Sequence, residues 1–246
     1  MLGLVQGPAE LLPVSSSGHL VLVPRLLDWN YARLPPEVRK TFEVALHTGS
    51  SPALCVAVRR VGAGDLRSLG LTLLAPALVG GLFEGAIERR LGSLASVGAG
   101  QLGGGAFLLL SDLASDGRSS PDLVDHLAVG LAQAVALVPG VSRFGAALSA
   151  ARLRGLSRPA SLRLSLRAAL PVTLAASALK GTRLVKGDVS PDLHRPLAVA
   201  FTAALLSSVA SLRLLGLLER RAVLRALALY RVALGIAVLA RARDST

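Results

Sequence analysis

From residue 91 to residue 111 the chain runs for 21 residues without a charge. A helix rising 1.5 Å per residue crosses a hydrocarbon core of about 30 Å in roughly 20 residues, so this run is long enough to span a bilayer. Further uncharged runs cover 196–212, 68–83 and 127–142, and are 17, 16 and 16 residues long. Tilting or snorkelling flanks can fit such lengths to a membrane. The chain is 52% hydrophobic with a mean hydropathy of +0.58. A soluble all-helical protein with core helices this apolar would need long polar helix faces to cover them, and none is visible in the pattern. The expected class is therefore an all-α polytopic membrane protein, with six to eight spanning helices.

The formal net charge is +12, and 24 of the 27 basic residues are Arg. Their placement points away from nucleic acid. They cluster where hydrophobic runs end, at Arg59 and Arg60, Arg89 and Arg90, Arg152 and Arg154, Arg220 and Arg221, and Arg241 and Arg243, as residues at headgroup level do. Anionic lipid suits this charge, whereas five Phe, two Tyr and one Trp offer few platforms for stacking bases. Positive clusters flank runs on both sides, so orientation stays open. The single Cys55 excludes an intramolecular disulfide and a cysteine zinc site, and reads as a small core residue. No cleavable leader is recognised, because a polar cluster begins within the first ten residues; internal segments are expected to drive insertion.

The chain repeats itself. "GLVQGPAELLPVSSSGHL" at 3–20 and "GLAQAVALVPGVSRFGAAL" at 130–148 share Gly-Leu-x-Gln and then Pro, Val-Ser and Gly. Gly3 and Gln6 pair with Gly130 and Gln133, and Val14, Ser15 and Gly18 pair with Val141, Ser142 and Gly145. One membrane domain over 1–246 is expected, built of repeats at about 1–115 and 122–246 around the loop-forming stretch "SDGRSSPD". Each half opens with a short broken segment and continues with longer apolar helices. That order is the sequence pointer to two inverted-topology repeats, each with a re-entrant helix pair plus transmembrane helices.

The breaks carry the polar groups. In the first half a helix over about 2–12 is stopped near Pro13, and a second starts at the serines, where a hydroxyl can cap free N–H groups. Backbone broken in this way cannot face lipid and must line a protein or water-filled cavity. Gln6 and Glu10 share one face of the first helix, while Ser15 or Ser16 shares a face with His19 on the second. A carboxylate inside an apolar broken helix is costly, which marks Glu10 as functional. In the second half Pro139 and Gly140 make the break, Ser142 is the expected N-cap, and Arg143 falls in the first turn. A cation there opposes the helix dipole, so an anion such as a phosphate is the better explanation, bound by the N–H groups and the guanidinium together.

At these two segments the chain resembles the undecaprenyl pyrophosphate phosphatase family, the bacitracin-resistance proteins. The family's first motif, approximately E-G-x-x-E-F-L-P-V-S-S-T-G-H, is matched by "QGPAELLPVSSSGH", and its second, P-G-x-S-R-S-G-A, by "PGVSRFGA". "KTFEVALHTGS" at 40–50 is similar to the stretch after the first motif. "SLRLSLRAALPV" at 161–172 is similar to an apolar Phe-Ser-Phe-Leu-Leu segment before a proline. Order and spacing agree over nearly the whole chain.

The resemblance implies a multi-pass enzyme of the bacterial plasma membrane that removes the terminal phosphate of a polyprenyl diphosphate lipid. Such an enzyme would recycle the carrier for cell-wall synthesis and raise bacitracin resistance. It implies Glu10, Ser16, His19 and Arg143 as catalytic, and Gln6, Ser15, Ser17, Gly140 and Ser142 as substrate-binding residues. Arg143 would hold the phosphates. A hydroxyl of the serine group, Ser16 before the others, would attack or ligate phosphate, and His19 would move protons. Glu10 would act as base or bind a divalent cation, Mg²⁺ or Ca²⁺. Attack by serine or by water, and the homodimer as one assembly, stay open. The chain departs from the pattern at Gln6, where the family has a glutamate, at Phe144 in place of a serine, and at Arg163 and Arg167 in the apolar segment. A neutral amide binds hard cations more weakly than a carboxylate. The competing expectations are thus a catalytically impaired paralogue acting as a lipid-phosphate binder or transporter, and a small-ion transporter. Glu43 and His47 could support the site from outside.

Overall fold

A computed structural model describes residues 1–62, 66–114, 117–186 and 189–244. Ser115 and Asp116 of the expected joining loop, and the side chain of Arg243, lie outside the described residues. The first half contains α1 (Leu2–Leu11), α2 (Ser16–Leu26), α3 (Pro36–Val61), α4 (Leu66–Leu91) and α5 (Leu94–Asp112). The second contains α6 (Leu123–Val135), α7 (Arg143–Leu153), α8 (Arg158–Lys186), α9 (Pro191–Ser211) and α10 (Arg221–Asp244). Each half thus runs short, short, long, long, long. No strand occurs among the described residues, where one isolated bridge joins Arg118 and Leu156.

Both breaks form for local reasons. Pro13 has no N–H to continue α1, and Ser15 takes φ +73°, which side-chain-bearing residues rarely adopt, before its Oγ accepts the Gly18 N–H at 3.3 Å. At the second break Gly140 takes φ +93°, and Ser142 Oγ accepts the Gly145 N–H at 3.0 Å. A Cβ on Gly140 would also collide with the Val97 carbonyl oxygen of α5. Gly140→Ala is therefore expected to cost about 1–3 kcal/mol and to lower the melting temperature in detergent by several degrees. An unchanged melting temperature would show that the break is free of this constraint.

The helices of the two halves pack in matching ways. α1 lies against α9 as α6 lies against α4; α3 meets α9 as α8 meets α4; α3 pairs with α8 and α5 with α10. One apolar cluster joins Leu11, Leu54, Leu108, Leu148, Leu166 and Leu224, so both halves build the same core. The outer surface stays apolar, with Leu78, Leu82, Leu110, Leu206 and Ile236 exposed. An all-helical fold with an apolar exterior fits a polytopic membrane protein.

Among the described residues, three segments are long and apolar enough to cross a membrane: α5, Pro191–Glu219 (α9 with the 3₁₀ turns that follow it) and Arg221–Ala242 in α10. Arg67–Phe83 with Gly85–Leu91, bent by 61° within α4, makes up to four. This is fewer than the six to eight expected. The 26-residue α3 and 29-residue α8 have the length, but charges such as Arg39, Lys40 and Glu43, or Arg163 and Arg167, dilute their apolarity. Those charges line two cavities, Arg39, Lys40 and Glu43 one and Arg163 and Arg167 the other.

Two smaller expectations are corrected. Cys55 is exposed rather than in the core; an apolar run does not distinguish an outer face from an inner one when the surroundings are lipid. Arg152 is fully buried, donating to the carbonyls of Leu156 and Ala114 at 2.7 and 2.6 Å, so it ties the chain internally instead of meeting headgroups. Arg221 likewise serves Asp112, together with Arg158 and Arg225, at 2.7–3.1 Å.

Candidate functional site

The two breaks meet at one cavity of about 410 Å³. The first contributes Glu10, Ser15, Ser16 and Ser17, and the second contributes Ser142 and Arg143. Six of the nine residues singled out from sequence therefore share one lining, although 126 positions separate Ser16 from Ser142. α2 and α7 both begin here, so two helix N-termini, with their unpaired N–H groups and positive dipole ends, face the same space. Arg25, Arg39 and Lys40 line the cavity as well, against the carboxylates of Glu10 and Glu43. The excess of cations and free N–H groups suits a polyanion.

The remaining three residues sit behind the lining. Gln6 is fully buried, and its amide nitrogen donates to Glu10 Oε2 at 2.9 Å and lies 3.1 Å from His47 Nδ1. The same His47 nitrogen is 3.1 Å from Glu10 Oε2. Gln6 Oε1 is buried without a hydrogen-bond partner among the described residues. Its repeat mate Gln133 instead donates to the Thr72 carbonyl at 3.1 Å, so the two glutamines do different work. His19 is buried outside the lining, with Nδ1 2.8 Å from the Ser15 carbonyl and Nε2 2.7 Å from the Tyr230 hydroxyl. Gly140 supplies a bend and a carbonyl rather than a surface.

Around the cavity the side chains are held in pairs. Ser16 lies within hydrogen-bonding reach of the Glu10 carboxylate, and Arg143 is close enough to act on it electrostatically. Arg143 Nη1 donates to Thr173 Oγ1 of α8 at 3.0 Å, and that hydroxyl donates onward to the Ala169 carbonyl at 3.0 Å. At the mouth, the Tyr31 hydroxyl donates to the Arg39 carbonyl at 3.1 Å, fastening the turn after α2 to the start of α3. Burial, joined by the nearby Glu43 carboxylate, pushes the Tyr31 phenol well above its ordinary pKa, so it remains a donor.

Sequence reasoning missed the residue that joins the two breaks. Arg231, in the middle of α10, is fully buried. Its Nη1 donates to the Pro13 carbonyl, its Nη2 to the Gly140 carbonyl and its Nε to Gln101 Oε1, each at 3.0 Å. Gln101 in turn donates to the Val14 carbonyl at 3.0 Å. One guanidinium thus satisfies carbonyls that both broken helices leave open, and the bare Cα of Gly104 makes room for it. The available signal was an arginine deep in an apolar stretch, six residues after Arg225 and ten before Arg241, since a charge inside an apolar helix rarely lacks a role.

Among the described residues, no three His, Cys, Asp or Glu side chains gather as a metal cage. The lining presents the Glu10 carboxylate, held by Gln6 and His47; a hard cation bound there would need its remaining ligands from water or an anionic ligand, which is the usual way Mg²⁺ is held.

Comparison with known proteins gives a consistent picture. The family described as "Bacitracin resistance protein BacA" matches residues 1–237. An "Undecaprenyl-diphosphatase" of Trichlorobacter lovleyi is 34% identical, covering 98% of this chain and 94% of the relative. One of Geobacter sulfurreducens is 35% identical, covering 98% and 96%. An "Undecaprenyl-diphosphatase 2" of Stutzerimonas stutzeri is 35% identical over 78% of each chain.

Proposed function

The chain belongs to the bacitracin resistance protein BacA family, and from that premise we propose that its cavity hydrolyses undecaprenyl diphosphate to undecaprenyl phosphate and inorganic phosphate. It is a multi-pass bacterial membrane protein, and the reaction returns the lipid carrier to cell-wall synthesis. The observation that carries the reading is the convergence of Glu10, Ser16 and Arg143 on one lining from two separate halves. The expectation of an impaired paralogue that only binds or transports lipid phosphate is not favoured, since the relatives bear the name of the phosphatase.

In this mechanism Arg143 and the N-terminal N–H groups of α7 hold the diphosphate and stabilise charge on the terminal phosphoryl group as it develops. The attacking oxygen, from the Ser16 hydroxyl or a water beside it, passes its proton to Glu10. The bond from phosphorus to the bridging oxygen breaks, and undecaprenyl phosphate leaves. With a serine, water then releases phosphate from Ser16 in a second step. Ser15, Ser17 and Ser142 shape the phosphate pocket, and His19 holds the Ser15 carbonyl from behind. Where a divalent cation, Mg²⁺ or Ca²⁺, takes part, Glu10 would hold it together with the diphosphate instead of serving as base, and it would neutralise charge on the phosphate oxygens; the Gln6 amide steadies the Glu10 carboxylate through the bond to Oε2.

The same proposal reads α1 with α2 and α6 with α7 as re-entrant pairs in two inverted repeats. The shared short-short-long order and the matched packing of α1 on α9 and α6 on α4 support it. The mass of the protein in detergent, one copy or two, tests the homodimer.

Phosphate release from undecaprenyl diphosphate by purified protein, with and without Mg²⁺ or Ca²⁺, tests the chemistry. Wild type is expected to turn over, and Glu10→Gln to lose about 10²–10⁴-fold, the usual contribution of a positioned base. Gln6→Glu is expected to lower the cation concentration needed for half-maximal rate. Turnover by Glu10→Gln at the wild-type rate would overturn the assignment of the carboxylate, and silence of the wild type under all conditions would overturn the activity.

A further inference from the structure

One face of α8 reaches the hydrolytic cavity, where Ala169, Leu170, Thr173, Ala176 and Ser177 line it at spacings of three and four residues. Thr173 is the point on that face that meets Arg143. Its Oγ1 accepts the guanidinium Nη1 at 3.0 Å, and the same hydroxyl donates to the Ala169 carbonyl one turn back, also at 3.0 Å. A threonine hydroxyl carries one proton and two lone pairs, so with its proton committed to the backbone the oxygen faces the guanidinium only as an acceptor. The bond to Ala169 also selects one of the two rotamers that threonine adopts in a helix, which fixes Oγ1 on α8. An oxygen that donates on one side accepts more strongly on the other.

This contact comes from a helix other than the one that carries the arginine. Arg143 lies in the first turn of α7, where the dipole favours turning a cation away from the helix N-terminus. Thr173 draws Nη1 toward α8 instead, and adds no negative charge to the lining in doing so. A carboxylate at the same place would hold the fork too, but would compete with phosphate oxygens for it; a hydroxyl supplies direction alone. Stabilising a transferring phosphoryl group depends on donors fixed before the charge develops, and a misplacement of about 1 Å is worth roughly 10²-fold in rate. We propose that Thr173 is a positioning residue for the hydrolysis, setting the direction of the Arg143 guanidinium toward the phosphoryl group under transfer. The inference rests on the reading of Arg143 as the group that holds the diphosphate.

Thr173→Val tests it, since valine keeps the branched shape and removes the hydroxyl. Two quantities are read on purified protein: kcat for undecaprenyl diphosphate, and affinity for orthovanadate followed by ⁵¹V NMR, which needs no turnover. Vanadate takes the trigonal-bipyramidal arrangement of a phosphoryl group under attack. Both quantities are expected to fall about tenfold, the usual worth of one hydrogen bond to a charged group. KM should change by under about twofold, because attraction of the ground-state diphosphate to the cation survives a change in its direction. Thr173→Ser should recover most of the loss. Thr173→Ala, which only shortens the side chain, carries the same expectation should valine not be accommodated. In an Arg143→Ala background, the valine change should alter residual phosphate release by under about twofold, since nothing remains for the hydroxyl to hold. Wild-type kcat and vanadate affinity in Thr173→Val, or equal losses in both backgrounds, overturn the proposal. A wild type silent toward the diphosphate, with a vanadate affinity that falls in the valine variant and returns in the serine one, supports the positioning role and overturns the hydrolytic reading instead. A wild type that neither turns over nor binds vanadate overturns both.

Discussion

Arg143→Ala should lower kcat/KM for undecaprenyl diphosphate by about 10³-fold or more, the scale set by arginines that stabilise a transferring phosphoryl group. The side chain sits in the first turn of α7, and its Nη1 is held by Thr173. Local helix stability does not require it, because a cation at a helix N-terminus is unfavourable. Its removal also takes one cation from a lining that already holds Arg25, Arg39 and Lys40, at the cost of its attraction to Glu10. The melting temperature in detergent is therefore expected to hold or rise while activity falls. Arg143→Lys should be intermediate, because an ammonium supplies charge without the planar fork. Phosphate release by Arg143→Ala within tenfold of wild type would remove the guanidinium from the mechanism.

Arg231→Met should act on both stability and rate. The substitution leaves the Pro13 and Gly140 carbonyls and Gln101 Oε1 without the donor each now has. An orphaned buried acceptor costs about 1–3 kcal/mol. Three of them should lower the melting temperature by roughly 10 °C or more, at 2–4 °C per kcal/mol for a chain of this size. Below that temperature, the N-termini of α2 and α7 lose their common anchor, and misplacement by about 1 Å is worth roughly 10²-fold in rate. The loss should fall on kcat more than on KM, since Arg231 does not line the cavity. Arg231→Lys should recover stability in part. A Met variant with wild-type melting and wild-type kcat would show that the two breaks hold their positions without the clamp.

Helix breaks were legible in the sequence because their causes are local. Pro13, the Ser15 cap, Gly140 and the Ser142 cap each act within about four residues, and the structure stops or starts a helix beside each of them. Glu10 and Arg143 stood out for a related reason. A charge among apolar residues, or a cation at a positive helix end, is unfavourable unless something compensates it, and that is visible without coordinates. Apolar length and composition alone pick out three or four spanning segments among the described residues. They cannot show which charges on α3 and α8 line a cavity.

His19 shows where local reasoning ends. Its spacing from Ser15 and Ser16 put it on a face with the serines, but the direction of that face was decided by Tyr230 of α10, 211 positions away. Arg231 is the stronger case, since the carbonyls it joins lie 218 and 91 positions from it in the chain. The sequence by itself determined that there are two polar breaks in an apolar helical chain and that serine hydroxyls cap the helices after them, because capping and bending are settled by neighbours. Only the tertiary structure decided that the breaks face one another across a shared cavity with a buried guanidinium between them, because that depends on helices distant in sequence packing side by side.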